Sequence, residues 1–338
     1  MSEQKKLDIR NLTIEFLSGN RYLPAVTDIS FHLNKGEILA LVGESGCGKS
    51  VSCMSLARLL PVPPARILRG EILLTLDDGT EIDVLKLTPR ELKKIRGGEI
   101  AYIFQEPSVS LNPVFRVGNQ IAEAIELHRP DVEDPRGEVI ELLKQVGIPA
   151  PEERADLYPH EMSGGMQQRV MIAMALASRP SVLIADEPTT ALDVTIQAQI
   201  LELLSDVRKK FGMSIILVTH NLGIVSEMAD RVCVMYAGRI VESSAVRELI
   251  DSPRHPYTAS LLKAVPELGR KDDVLSTIPG SVPLPADFPA GCRFCERCGL
   301  RKSFSSAEQL LCEQKVPPMK EIAPGHFCAC HFAGEKKA

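Results

Sequence analysis

The sequence predicts an α/β fold organised on a parallel sheet, with a helical block set into the strand–helix alternation. Two observations carry that prediction. Ile38-Leu39-Ala40-Leu41-Val42 and Val182-Leu183-Ile184-Ala185 are unbroken apolar runs, the pattern of strands covered on both faces. Strand and helix patterns then alternate from Ser181 to Tyr236, whereas Val117 to Ala177 is helical in period, cut into pieces by Pro130, Pro135, Pro149 and Pro159.

Taken in order, Leu7 to Phe16 alternates apolar and polar residues and reads as a half-exposed strand. Ala25 to Leu33 is a second strand, closed by the turn Asn34-Lys35-Gly36. The run from Ile38 follows, and then Lys49 to Leu60 as a helix. Gly70 to Leu76 and Glu81 to Val84 flank Asp77-Asp78-Gly79 as a hairpin, and Ile100 to Phe104 is a short buried strand. Beyond the helical block come strands over 181–185, 214–218 and 232–236, with helices over 195–211 and 222–228 between them. Past about residue 250 the composition turns to Pro, Gly and Cys, so the expected boundary divides 1–250 from 251–338, with the helical part at about 106–178.

Between the third strand and its helix lies Gly43-Glu44-Ser45-Gly46-Cys47-Gly48-Lys49-Ser50, a G-x-x-x-x-G-K-S loop. Glycines let the backbone curl so that successive N–H groups face one anion, and the helix start adds its positive dipole end. Lys49 suits the β- and γ-phosphates and the Ser50 hydroxyl a Mg²⁺ shell, so the loop predicts a bound nucleoside triphosphate. At the tip of the strand Val182–Ala185, Asp186 is the candidate Mg²⁺ ligand and Glu187 the candidate general base.

The 338 residues are 44% hydrophobic and 25% charged, as in a soluble globular protein. A net charge of −5 gives no basic footprint for nucleic acid. No apolar stretch nears the roughly twenty residues of a bilayer span, and the N-terminus carries no secretory pattern, which predicts a cytosolic chain. Of nine cysteines in that compartment, six lie between residues 292 and 330. Cys292, Cys295 and Cys298 form a C-x₂-C-x₂-C run, with Cys312, Cys328 and Cys330 beyond it. Soft thiolates in a segment too small for its own core suit zinc or an iron–sulfur cluster, with His326 and His331 as possible nitrogen ligands. Unliganded thiols are the alternative. Cys53 reads as a helix residue, Cys233 as a buried strand residue, and Cys47 as a loop thiol activated by the helix start.

In this order of motifs, over about residues 7 to 265, the chain resembles the ATP-binding subunits of ABC transporters. The resemblance implies a P-loop NTPase with a RecA-like parallel core, an antiparallel β subdomain and a helical subdomain. Gln105, after Tyr102-Ile103-Phe104, resembles the family's Q-loop glutamine, which contacts Mg²⁺ and water. Met162-Ser163-Gly164-Gly165-Met166-Gln167-Gln168-Arg169 resembles the signature sequence, departing from its commonest form at Met162 and Met166. In the family Ser163, Gly164 and Gly165 would cover the γ-phosphate held by a second subunit. Ala191-Leu192-Asp193 resembles the D-loop, His220 the switch histidine and Tyr22 the adenine-stacking aromatic. Tyr22 also reads as ordinary packing at a strand edge.

Phe104 to Pro113 and Arg254-His255-Pro256-Tyr257-Thr258 resemble the oligopeptide, dipeptide and nickel importers, as does Gly291-Cys292 through Ala329-Cys330-His331-Phe332. That likeness implies a second ATPase subunit, two transmembrane permease subunits and an extracytoplasmic substrate-binding protein, with the chain on the cytoplasmic face of the membrane. It also implies a 4Fe–4S cluster on Cys292, Cys298, Cys312 and Cys330. Two rival readings stay open at this level. One is a soluble ABC-type ATPase acting on nucleic acid or in translation with a zinc module. The other makes the cysteine segment a redox sensor that gates the ATPase.

Overall fold

The fold is taken from a computed structural model, which describes residues 4–190, 192–264 and 278–333. Strands β1 (Lys5–Ser18), β2 (Arg21–Asn34) and β3 (Ile38–Val42) lead into α1 (Lys49–Leu56), followed by β4 (Ala65–Thr75) and β5 (Glu81–Asp83). Next come α2 (Pro89–Ile95), β6 (Ile100–Ile103), α3 (Pro107–Ser110), α4 (Val117–His128), α5 (Pro135–Gln145), α6 (Pro151–Arg154) and α7 (Gly164–Leu176). The later part is β7 (Val182–Asp186), α8 (Val194–Phe211), β8 (Ser214–Thr219), α9 (Leu222–Met228), β9 (Arg231–Tyr236) and β10 (Arg239–Ala245). It closes with α10 (Val246–Asp251), α11 (Pro256–Lys263), α12 (Ser306–Gln314), β11 (Lys320–Ala323) and β12 (His326–Cys328).

These elements form two compact units. The first gathers Leu33–Glu37 and Thr75–Val218 with the N-terminal stretch to Lys6. Its strands β6, β7 and β8 run parallel, with Ile103 opposite Ala185 and Asp186 opposite Val218. Every residue of β7 and β8 is buried, which is why both read as continuous apolar runs. The proline-broken helices resolve by the same logic. Pro135 and Pro151 occupy first-turn positions of α5 and α6, where a missing N–H costs nothing. The sequence reading passed over α2, although Thr88 and Glu91 form a reciprocal capping box at its start.

The second unit gathers Leu7–His32, Ile38–Leu74 and the residues from Thr219 onward. In it β1 pairs antiparallel with β4, Leu7 facing Leu74 and Ile9 facing Ile72. β3 lies parallel to β9, and β10 joins β9 to the antiparallel β12. The strand β10 was not expected, because Glu242, Ser243 and Ser244 hide its pattern. All three are buried and find polar partners: the Glu242 carboxylate accepts from Arg254 and His255 backbone N–H groups, Ser243 meets Cys233, and the Ser244 hydroxyl donates to the Ala245 carbonyl.

Residues beyond 250 pack into the same core as β3. Tyr257 and Phe294 join Val42, Val234 and Tyr236 there, with ring centroids of Tyr236 4.6 Å from Tyr257 and 5.2 Å from Phe294. Tilted and edge-on aromatic contacts of this kind add about 1 kcal/mol each beyond the area they bury. His255 fixes the geometry, because its Nδ1 accepts from the Tyr257 backbone N–H at 3.1 Å and so caps α11.

That cap needs a neutral imidazole. Burial pushes His255 down to about 4, against the pull of Glu242. Its folded value lies below the unfolded one near 6.5, so it adds nothing at higher pH and a growing penalty as pH falls from about 6.5 to 4. The loss expected near pH 4 is about 3 kcal/mol, read as a falling urea midpoint. His255→Asn keeps a capping acceptor and should flatten that part of the profile. Equal midpoints for the parent chain at pH 7 and 4.5 would contradict the assignment.

Candidate nucleotide site

In the second unit, the buried strand β3 ends at Val42 and the chain turns through the phosphate loop into α1. Glycine is required at two places. Gly43 has φ +153° and a Cβ there would lie 2.1 Å from the Met235 carbonyl oxygen. Gly48 has φ +100° and packs on the Ala25 carbonyl. The loop is braced by the Gly238 N–H donating to the Cys47 carbonyl at 2.8 Å. Lys49 is 5% exposed, and its ammonium donates to the carbonyls of Gly43 at 2.8 Å and Glu44 at 3.1 Å. Ser45 and Gly46 are exposed at the loop tip, and Ser50 follows on the first turn of α1.

Cys47 is not the reactive thiol expected of it. It is 1% exposed, and burial raises its pKa despite Lys49 and the helix start. Here desolvation of the thiolate outweighs the dipole. Tyr22 is half-buried on β2 with the Arg66 guanidinium 3.6 Å above its ring, so one aromatic face is already covered. His220 is exposed directly after β8.

In the first unit, Asp186 ends β7 at 5% exposure and accepts from the Tyr102 hydroxyl at 2.7 Å. Glu187 follows with φ +46°, a left-handed conformation that costs a non-glycine residue about 1 kcal/mol and turns its side chain out of the strand direction. Its N–H remains bonded to the Val218 carbonyl at 2.9 Å. Its carboxylate accepts from Gln105 Nε2 at 3.2 Å and Thr190 Oγ1 at 3.0 Å. Gln105, Asp186 and Glu187 thus come together as the motifs predict, and Thr190 joins them unforeseen. A hydroxyl three residues after the glutamate was the signal available for it.

Ser163 caps α7, its Oγ accepting from the Met166 N–H at 3.4 Å. Ser163 and Gly164 are exposed, and a Cβ at Gly164 would meet nothing within 4 Å, so this helix start is open. Gly165 instead packs against Ile196, which ties the signature to α8. The Asp193 carboxylate accepts from the Ile196 N–H at 2.9 Å and caps α8. Met162 is buried, consistent with an apolar residue at that place. Ala191 lies outside the described residues.

The four cysteines expected around a cluster are brought together. Cys292, Cys295, Cys298, Cys312 and Cys330 line one cavity with His331, of about 20 Å³. Among the described residues no group of three His, Cys, Asp or Glu side chains is placed to hold a metal ion. Both histidine candidates are engaged, His326 with Glu242 and His331 with the Lys315 carbonyl, each at 2.8 Å. Burial raises the thiol pKa values, to about 12 at Cys292 and about 11 at Cys312. Cys328 is fully buried on β12, apart from that cavity.

A parallel-stranded P-loop fold, a strand-end Asp-Glu pair and an open Ser-Gly helix start define a nucleotide-hydrolysing cassette. Comparisons agree. The chain matches the ABC transporter family over residues 26–190 and the oligopeptide/dipeptide transporter C-terminal region over residues 241–303. It is 48% identical over 337 residues to a putative peptide import ATP-binding protein of Brucella ovis, covering 98% of both chains. It is also 48% identical to the oligopeptide transport ATP-binding protein OppD of Bacillus subtilis, over 95% of this chain and 87% of that one.

Among solved structures, the ATP-binding cassette MJ0796, a dimer bound to ADP and phosphate, superposes with a TM-score of 0.62. It is 28% identical and covers 71% of this chain and 99% of its own. The CbiO1 component of a Clostridium perfringens ABC transporter gives 0.61 at 30% identity, over 74% of this chain and 92% of its own. This chain belongs to the ABC transporter family, as an ATP-binding subunit that hydrolyses ATP. Among the described residues no helix is long and apolar enough to cross a membrane.

Proposed function

We propose that this subunit powers import of peptides through a membrane transporter, working at the cytoplasmic face beside two permease subunits and a substrate-binding protein. The substrate class rests on the relatives named as peptide importers and on the matched oligopeptide/dipeptide region, which also favour this reading over a soluble nucleic-acid ATPase.

The observation that carries the mechanism is Glu187, turned out of its strand at φ +46° and held by Gln105 and Thr190 beside Asp186. In this reading Lys49 and the N–H groups of residues 43–50 bind the β- and γ-phosphates, and Tyr22 lies by the adenine. Ser50, Asp186 and Gln105 would hold Mg²⁺, which neutralises developing phosphoryl charge. Glu187 accepts a proton from the attacking water, and Gln105 and His220 orient water and γ-phosphate. The helix start of Ser163, Gly164 and Gly165, open at Ser163 and Gly164, covers the γ-phosphate of a second ATPase subunit, with Asp193 near that interface. Closure on ATP and release after hydrolysis then bias the permeases between two states.

Reconstitution with its permeases and binding protein in vesicles tests the substrate class. ATP-dependent accumulation of labelled peptides, competed by unlabelled peptides, is the expected result. ATP-driven nickel uptake with no peptide uptake would overturn it.

A further inference from the structure

We propose that Arg297, in the cysteine-rich segment, is a positioning residue for the phosphate-binding loop and acts through Glu44. The inference rests on residues 43–50 being the nucleotide loop. Glu44 is the sole acidic residue among those eight. A carboxylate there opposes a polyanionic ligand unless something neutralises it.

Arg297 does so in bidentate form. One terminal nitrogen donates to Glu44 Oε1 at 2.9 Å and the other to Oε2 at 3.1 Å. The arginine side chain is 7% exposed and that of Glu44 29%, so water screens the pair only in part. Its fork is fixed from behind as well. Nε donates to the Pro279 carbonyl at 2.9 Å, and the terminal nitrogens reach Tyr236 Oη and the Gly280 carbonyl at 3.3 Å.

Glu44 is held by its backbone too. Its N–H donates to the Tyr257 hydroxyl at 2.9 Å, and its carbonyl accepts from Lys49 at 3.1 Å. Two residues from beyond position 250 therefore set the place of Glu44, and Glu44 in turn seats the ammonium that meets the phosphates. Without Arg297, the released carboxylate becomes a rival for Lys49 and a negative charge in the loop. The effect falls on nucleotide affinity, because Arg297 touches no reacting atom.

Arg297→Gln is expected to weaken MgATP binding by the purified full chain about tenfold. KM should rise to match while kcat changes less than about twofold. Adding Glu44→Gln removes the unpaired charge and should restore affinity to within about twofold, a rescue that loss of structure alone would not give. Arg297→Lys keeps the charge but loses the fork and should fall between. The deficit should also shrink as salt is raised. Unchanged affinity in folded Arg297→Gln, or a deficit untouched by Glu44→Gln, overturns the proposal. If the glutamine variant does not fold, Arg297→Lys decides alone: parent-like affinity at low salt rejects the role. Lys49→Ala separates the two readings, since a lysine variant that bound nucleotide normally would remove the loop assignment itself.

Discussion

Glutamine in place of Glu187 is expected to slow ATP turnover by about 10²–10³-fold while nucleotide binding stays near the parent value. The substitution removes proton-accepting capacity and little else. Glutamine has the same length, carries the same left-handed strain, and retains one oxygen to accept from Gln105 or Thr190. An interaction made only in the transition state is what disappears, so kcat falls and KM does not. Because hydrolysis would be the step that reopens a closed pair of subunits, the variant should accumulate an ATP-bound dimer visible by light scattering. Thr190→Val, which deletes one of the two groups orienting the carboxylate, should cost about tenfold. A Glu187→Gln chain within a fewfold of the parent rate would place the base elsewhere.

The residues that make this prediction were legible from the sequence for a physical reason. A strand buried on both faces is built from apolar residues, so the carboxylates of Asp186 and Glu187 stand out where the run from Val182 ends. The phosphate loop declares itself similarly, since only glycine tolerates φ +153° against the Met235 carbonyl. What could not be read depends on distance or on burial. The Glu44–Arg297 pair joins residues 253 positions apart, and no local pattern announces it. The left-handed turn at Glu187 has no sequence signal, because glutamate does not favour it. Cys47 misled because the helix start is local and visible, whereas the burial that overrides it is tertiary. In the cysteine run, spacing places Cys292, Cys295 and Cys298 near one another, whereas the approach of Cys312 and Cys330 to the same cavity is tertiary. β10 stayed hidden because its buried groups are polar and the partners of Glu242 lie 12 to 84 residues away.

Those partners make Glu242 the position where one substitution should cost the most stability. Glu242 is fully buried, and three donors converge on it: Arg254 N–H at 2.7 Å, His255 N–H at 2.9 Å and His326 Nε2 at 2.8 Å. An ionised carboxylate only accepts, so His326 Nε2 carries the proton. Burial alone would raise the carboxyl pKa, but His326, the Thr258 hydroxyl and the Arg254 and His255 N–H groups more than offset it and leave it below the usual range. Such a depressed group stabilises the fold fully above the unfolded glutamate value near 4.3, and that contribution is lost as pH falls through the lower folded value. The glutamate loss therefore sets in below the window in which His255 acts.

Glu242→Gln is not conservative in this setting. The amide has one accepting oxygen where donors reach both, so its NH₂ must face another donor or leave it unpaired. We expect a loss of about 3 kcal/mol in urea unfolding, several degrees or more in melting temperature. Function should follow, because the N–H groups bound by Glu242 open α11, and α11 carries the Tyr257 hydroxyl that accepts from Glu44. A severalfold rise in KM for ATP should accompany the lost stability, with Glu187 chemistry untouched. Parent-like stability would mean that the buried carboxylate is dispensable, and normal KM in a destabilised chain would uncouple α11 from the phosphate loop.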